Sequence, residues 1–179
     1  MPTRALDFTP KVHEMSVQQR TKIELFKEEM KFSAGHFTIF SATHRENLHG
    51  HNFSVHVEID ALVSDNGVTF DYGPMKKRLF ELCRSLNEIV LLPTRSPHLR
   101  VREEGGRVIA RFADEELIFL KRDVRLLPIR NVTIEELAAY LLEAVVADVS
   151  GEPAHGVSAV AVRVFSGPGQ SARVEWRSS

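Results

Sequence analysis

At 179 residues and 43% hydrophobic content, the chain is one domain's worth of sequence, able to bury its own core. Its 23 Lys and Arg stand against 24 Asp and Glu, a net charge of -1 that gives no electrostatic case for nucleic acid. A lone cysteine, Cys83, excludes an internal disulfide framework; no apolar run approaches the roughly 20 residues that span a bilayer, and the first twenty residues carry no h-region or lipidation signal, so the expected location is cytoplasmic.

Residues 1–22 show no sustained period and read as an N-terminal arm, mobile or docked on a neighbouring subunit, ahead of a single domain over 23–179. From Leu25 to His36 the sequence is strand-like, with Phe26, Met30, Phe32 and Ala34 on one parity and Lys27, Glu29, Lys31 and Ser33 mostly on the other. A second strand over 52–61 alternates Phe53, Val55, Val57, Ile59 and Ala61 with Ser54, His56, Glu58 and Asp60, before a turn at Asn66-Gly67. Asp71 and Pro74 suit a helix start, and Met75, Leu79, Leu82, Cys83 and Leu86 give that helix an apolar stripe. Over about 91–128, turn signals at Pro93, Pro97 and Gly105-Gly106 separate β-like runs at Arg107–Phe112 and Glu116–Leu120, which predicts an inserted hairpin. Thr133 to Glu136 forms a capping box opening a second helix, with Leu137, Leu141, Leu142 and Val145 inward. A strand at Val157–Phe165, a Gly167-Pro168-Gly169 turn and a last strand near Ala172–Trp176 complete an antiparallel α+β domain.

Five of the eight histidines fall between positions 36 and 56. His49 and His51 are two apart, so on an extended segment both rings share a face, and pairing with the strand ending at His36 would gather three imidazoles. Three imidazoles with an open fourth position make a catalytic zinc site rather than a structural one. Spacing alone leaves two readings open, a ligand set or ordinary surface and core histidines.

The run Phe32-Ser33-Ala34-Gly35-His36 followed by Leu48-His49-Gly50-His51-Asn52-Phe53 resembles the metal motif of the 6-pyruvoyl-tetrahydropterin synthase family, which includes the 6-carboxy-tetrahydropterin synthases. The likeness extends through Phe70-Asp71-Tyr72, residues 86–93 and 133–138, and Gly167-Pro168-Gly169-Gln170, and so covers about 24–176. It implies zinc on His36, His49 and His51, and a tunnelling fold: a four-stranded antiparallel sheet with two helices on one face, closed by oligomerisation into a β-barrel, commonly a hexamer of two trimers with sites between subunits.

Members of that family usually place a cysteine general base where this chain has Arg45, and mid-helix Cys83 is no substitute. Glu46 sits three residues before His49, which resembles a branch in which glutamate replaces the cysteine; partial burial would raise its pKa toward neutrality, and the other reading is a solvated loop carboxylate. That branch, which the 91–128 insertion also resembles, is expected to cleave 7,8-dihydroneopterin triphosphate by a retro-aldol step to 6-hydroxymethyl-dihydropterin for folate synthesis. Two positions depart from the family. Asn87 and Glu88 follow Leu86 in place of an Asp-His proton relay, with Glu88 left as a possible proton donor, and Ser166 stands where a glutamate anchors the pterin. Thr133 and Glu135 match pterin-contacting positions, yet equally suit a helix cap and first turn. The sequence therefore predicts a zinc-dependent carbon–carbon or carbon–oxygen lyase with a small pterin-like substrate. The alternatives are a non-catalytic zinc-containing pterin- or metabolite-binding homologue, and a related lyase with a non-pterin substrate.

Overall fold

The computed structural model describes residues 19–149 and 156–178. The framework is one long strand, β3 (His49–Leu62), whose buried residues alternate from Phe53 to Ala61 while Ser54, His56, Glu58 and Asp60 project from the other face. Along one edge β3 pairs antiparallel with β1 (Arg20–Leu25) and then β2 (Lys31–His36); along the other it pairs with β9 (Val157–Phe165), which in turn pairs with β10 (Ser171–Arg177). β1 thus includes residues 20–22 of the expected arm, and residues 1–18 lie outside the described residues.

The single strand expected over 25–36 is two strands. A turn intervenes, in which Met30 N–H donates to Lys27 O at 3.0 Å. Phe26, read as inward, is 58% exposed, while Met30 is fully buried and its carbonyl accepts Val55 N–H at 2.8 Å. The looped-out residues preserve the parity of Met30, Phe32 and Ala34, which is why alternation ran through the break unnoticed.

Two helices, α1 (Gly73–Ser85) and α2 (Ile134–Val149), bury one side each against the face of the sheet that carries Phe53, Val55 and Val57. Met75, Leu79 and Cys83 of α1 meet Leu137, Ala138 and Leu141 of α2 in that core, where full burial of each large apolar side chain is worth about 1.5–3 kcal/mol. Burial pushes the Cys83 thiol up to about 12, so it stays protonated and is no nucleophile. Thr133 caps α2, its hydroxyl accepting Glu136 N–H at 3.4 Å. The reciprocal half of the predicted capping box is diverted: the Glu136 carboxylate accepts Arg130 N–H at 2.8 Å and pairs with its guanidinium.

The insertion is larger than a hairpin. β5 (Leu99–Glu104), β6 (Arg107–Phe112) and β7 (Glu115–Leu120) form a separate three-stranded antiparallel sheet over a second small core of Phe37, Ile39, Leu92, Leu99, Val108, Ala110 and Phe112. On its flanks, β4 (Ile89–Pro93) and β8 (Val124–Leu127) extend the main sheet parallel to β2, with a 3₁₀ turn at Lys121–Asp123 between β7 and β8. The α+β class holds, but the sheet is mixed rather than purely antiparallel, and within one chain it is open. Gly35 lets β4 approach β2, since a Cβ there would lie 3.3 Å from Val90 Cγ2. Among the described residues no helix is long and apolar enough to cross a membrane.

Candidate metal centre

The β2–β3 register sets the centre. His36 and His49 are direct cross-strand partners and His51 faces Ala34, so all three imidazoles leave the ladder on its helix-covered face. Ring centroids lie 4.7 Å (His36–His49), 5.2 Å (His36–His51) and 4.9 Å (His49–His51) apart. One nitrogen from each falls within 4.8 Å of the others. His36 Nδ1–H donates to Val132 O and His49 Nδ1–H to Asn47 O, both at 2.8 Å, which leaves each Nε2 as a lone pair aimed into the cluster. His49 Nε2 lies 3.1 Å from His51 Nε2, and buried His36 Nε2 has no hydrogen-bond partner. Burial, above all, lowers the His36 pKa and keeps the ring neutral, with the neighbouring imidazoles acting in the same sense and the Val132 bond opposing. An orphaned buried acceptor beside two further convergent ring nitrogens is the donor set a divalent cation requires, so the residues present fit a bound metal.

Glu46 closes one side of the same cavity. Its carboxylate Oε2 accepts Thr38 N–H at 2.9 Å, and its own N–H donates to Thr38 O at 2.8 Å. Burial is the largest single influence and pushes its pKa up, as the sequence suggested. The Thr38 hydrogen bonds and the imidazoles of His49 and His36 together outweigh it, and the carboxyl is held below its ordinary value. The expected rise toward neutrality is therefore corrected: Glu46 is a carboxylate, stabilised in the charged form that accepts a proton.

The cavity measures about 310 Å³ and is lined by the three histidines, Thr38, Glu46, Thr133, Glu135, Ser166 and Gln170, among others. Thr133, Glu135 and Ser166 thus converge with the histidines and Glu46 in one chain. Thr38 was not singled out in the sequence, and Gln170 was quoted in the family motif without a role; it belongs to the turn that presents Ser166, whose N–H donates to Gln170 O at 3.3 Å. The Val132 carbonyl that orients His36 carries no sequence signal at all.

Glu88 is placed elsewhere. It lines a second cavity with Ser33, Gly35, Gly50, His51, Asn52 and Asp123, apart from the one that holds Glu46. Its backbone is left-handed (φ 57°) and its N–H donates to Ser33 O at 2.6 Å. Asn87 Oδ1 accepts Ser33 N–H at 2.8 Å, so the side chain in the relay position ties the end of α1 to β2.

A mixed sheet backed by two helices, with three convergent histidines at the end of its central ladder, defines an α+β protein with a candidate metal site. The family model for 6-pyruvoyl tetrahydropterin synthase matches residues 25–176, and the chain belongs to that family. It is 25% identical over 144 residues (80% of this chain, 88% of the relative) to a protein assigned as a 6-carboxy-5,6,7,8-tetrahydropterin synthase in Methanocaldococcus jannaschii. A protein of the same assignment in Pyrococcus abyssi is 28% identical over 145 residues, covering 80% of this chain and 85% of its own. Among solved structures, 6-pyruvoyltetrahydropterin synthase of Plasmodium vivax superposes with a TM-score of 0.82 at 26% identity, covering 89% of this chain and 99% of that one. Two further structures of that enzyme carry alanine or cysteine in place of a glutamate described as a catalytic residue.

Proposed function

We propose that the chain is a zinc-dependent lyase that shortens the side chain of a dihydropterin, with 7,8-dihydroneopterin triphosphate the favoured substrate and 6-hydroxymethyl-dihydropterin, a folate precursor, the product. The observation that carries this reading is the Glu46 carboxylate sharing a cavity with three imidazoles whose ring nitrogens converge. The Plasmodium vivax enzyme, whose glutamate is described as catalytic, supports a carboxylate in that role.

His36, His49 and His51 would hold the zinc, which supplies positive charge and Lewis acidity to the side-chain hydroxyls. Glu46 takes the proton of the hydroxyl beside the bond that breaks. The O–H electron pair becomes a carbonyl, and the carbon–carbon bond gives its pair to the carbon attached to the ring. That carbon takes up a proton, so one aldehyde fragment leaves and the hydroxymethyl product remains. Thr133, Glu135 and Ser166 line the cavity where the ring would bind. Glu88 would reach such a carbon only from a neighbouring copy, which a hexamer of two stacked trimers would supply. The assembly is read as cytoplasmic.

A second reading, a non-catalytic pterin-binding homologue, is favoured by Asn87, whose side chain is engaged with Ser33 N–H. A related lyase with a non-pterin substrate is favoured by Ser166. The test is to incubate the zinc-loaded protein with 7,8-dihydroneopterin and its triphosphate and identify products by mass spectrometry. A hydroxymethyl product that vanishes on chelation establishes the lyase; no product with zinc bound turns the choice to the other two readings.

A further inference from the structure

We infer that Arg45 is the positioning residue of this site, and that the three-stranded insertion serves to hold it. This rests on the reading of Glu46 as the base. The segment between β2 and β3 folds back on itself: Ile39 and Arg45 form an isolated antiparallel bridge, and Phe40 N–H donates to His44 O at 2.9 Å. Glu46 follows immediately at the foot of that loop.

Arg45 converts this loop into a fixed mount. Its NH1 donates to the Glu46 backbone carbonyl at 2.8 Å, so the guanidinium grips the main chain of the base itself. Its Nε donates to Glu115 Oε2 at 3.0 Å, and NH2 pairs with the same carboxylate. The guanidinium carbon lies 5.1 Å from the Phe37 ring centroid and 5.8 Å from that of Phe112. Only 16% of this charged side chain is exposed. A guanidinium so covered must be paired, and its fork geometry satisfies a carboxylate and a carbonyl together in a way an ammonium does not.

Glu115 begins β7 and Phe112 ends β6, so two of Arg45's contacts come from the turn of the inserted sheet. The other side of the mount is β2's continuation, where Thr38 binds the Glu46 carboxylate and N–H, and where Asn131 Nδ2–H donates to Ile39 O at 2.8 Å. The insertion thus reaches the base through one arginine, without lining the cavity.

The experiment uses the full chain, zinc-loaded, as Arg45→Met, Arg45→Lys and Glu115→Gln. Glu103→Gln is the control: it removes an ion pair between the same inserted sheet and Lys121, in the turn that follows it, and leaves Arg45 untouched. Amide hydrogen exchange at Thr38 and Glu46 is read first, because it needs no substrate. Arg45→Met should speed exchange at both amides by about tenfold, Glu115→Gln by less, and Glu103→Gln not at all. With 7,8-dihydroneopterin triphosphate, kcat should fall by about a hundredfold in Arg45→Met while KM and bound zinc stay unchanged, and Arg45→Lys should recover only part of it. Unchanged exchange at the two amides overturns the inference, as does a loss confined to KM. Faster exchange in a protein whose unmutated form turns over no pterin upholds the mount and removes the proposed reaction. Should Arg45→Met loosen the whole chain, Glu115→Gln against Glu103→Gln carries the same comparison.

Discussion

The two faces of the β2–β3 ladder use polar side chains in opposite ways. On the helix-covered face, His36, His49 and Glu46 are each oriented by a backbone group: Val132 O, Asn47 O and Thr38 N. Their reactive atoms then converge on a cavity, and His36 Nε2 is left without a partner. On the other face the side chains satisfy one another. Ser33 Oγ–H donates to Asn52 Oδ1 at 2.5 Å, Asn87 takes the Ser33 N–H, and Glu58 lies between Lys22 and Arg173. The histidine face thus aims polar atoms from behind and leaves one unsatisfied in front, whereas Ser33, Asn52 and Asn87 on the other face close their bonds on one another.

The sharpest way to break this contrast is to remove one histidine from each face. His36→Ala should abolish stoichiometric zinc binding, and with it the thermal stabilisation that zinc gives the unmutated chain, about 2.7 kcal/mol at a free metal concentration a hundredfold above Kd. His56→Ala, which removes only a ring packed 5.7 Å from Phe26, should bind zinc as before. Metal analysis and a melting curve with and without zinc decide it. Equal loss in both variants would sink the assignment of the centre.

Carboxylates give the next comparison. Glu46→Gln removes the proposed base while keeping a carbonyl oxygen for Thr38 N–H, and turnover of 7,8-dihydroneopterin triphosphate should fall by about 10²–10⁴-fold with zinc retained. Glu88→Gln should cost less, because a carbanion can recover its proton from Glu46. Steady-state rates rank the two; if Glu88→Gln is the more damaging, the reacting carbon is served from the other face.

The histidine face was legible because its signal is local. His49 and His51 are two apart on a strand, and the β3 register needed only a hairpin-like return to bring in His36. Glu46 came from the resemblance, and its charge state was misjudged because the opposing bonds come from Thr38, eight residues away, through backbone atoms that no motif records. The insertion was under-read for a related reason. Only Leu99 of β5 is buried, so Leu99–Glu104 shows little alternation, while β4 and β8 are short runs whose parallel pairing, β4 with β2 and β8 with β4, depends on partners distant in sequence.

Ser166 tests the ligand side of the helix-covered face. It lines the cavity with a neutral hydroxyl where the family resemblance places a carboxylate. If a pterin ring binds there, Ser166→Glu should tighten it by roughly tenfold to a hundredfold, the 1.5–3 kcal/mol of a charge-assisted hydrogen bond. Titration with neopterin measures this. Weaker binding would mean the ring lies elsewhere and would favour a non-pterin substrate.

The smallest effect belongs to the face opposite the histidines. Glu58 is held below its ordinary pKa, chiefly by the Arg173 hydrogen bond at 3.1 Å, against the opposing push of burial, with Lys22 adding to Arg173. A carboxyl depressed on folding contributes stability that is fully present above its unfolded pKa and is lost as pH falls through the folded one. Denaturant midpoints of the unmutated chain and Glu58→Gln should therefore differ by about 1 kcal/mol or less near neutrality, and converge as pH drops below about 4.5. The same pair at neutral pH should bind zinc identically, since Glu58 lies on the face opposite the histidines. A gap that widened on acidification would reverse the sign and show that Glu58 is not stabilised as a carboxylate by its neighbours.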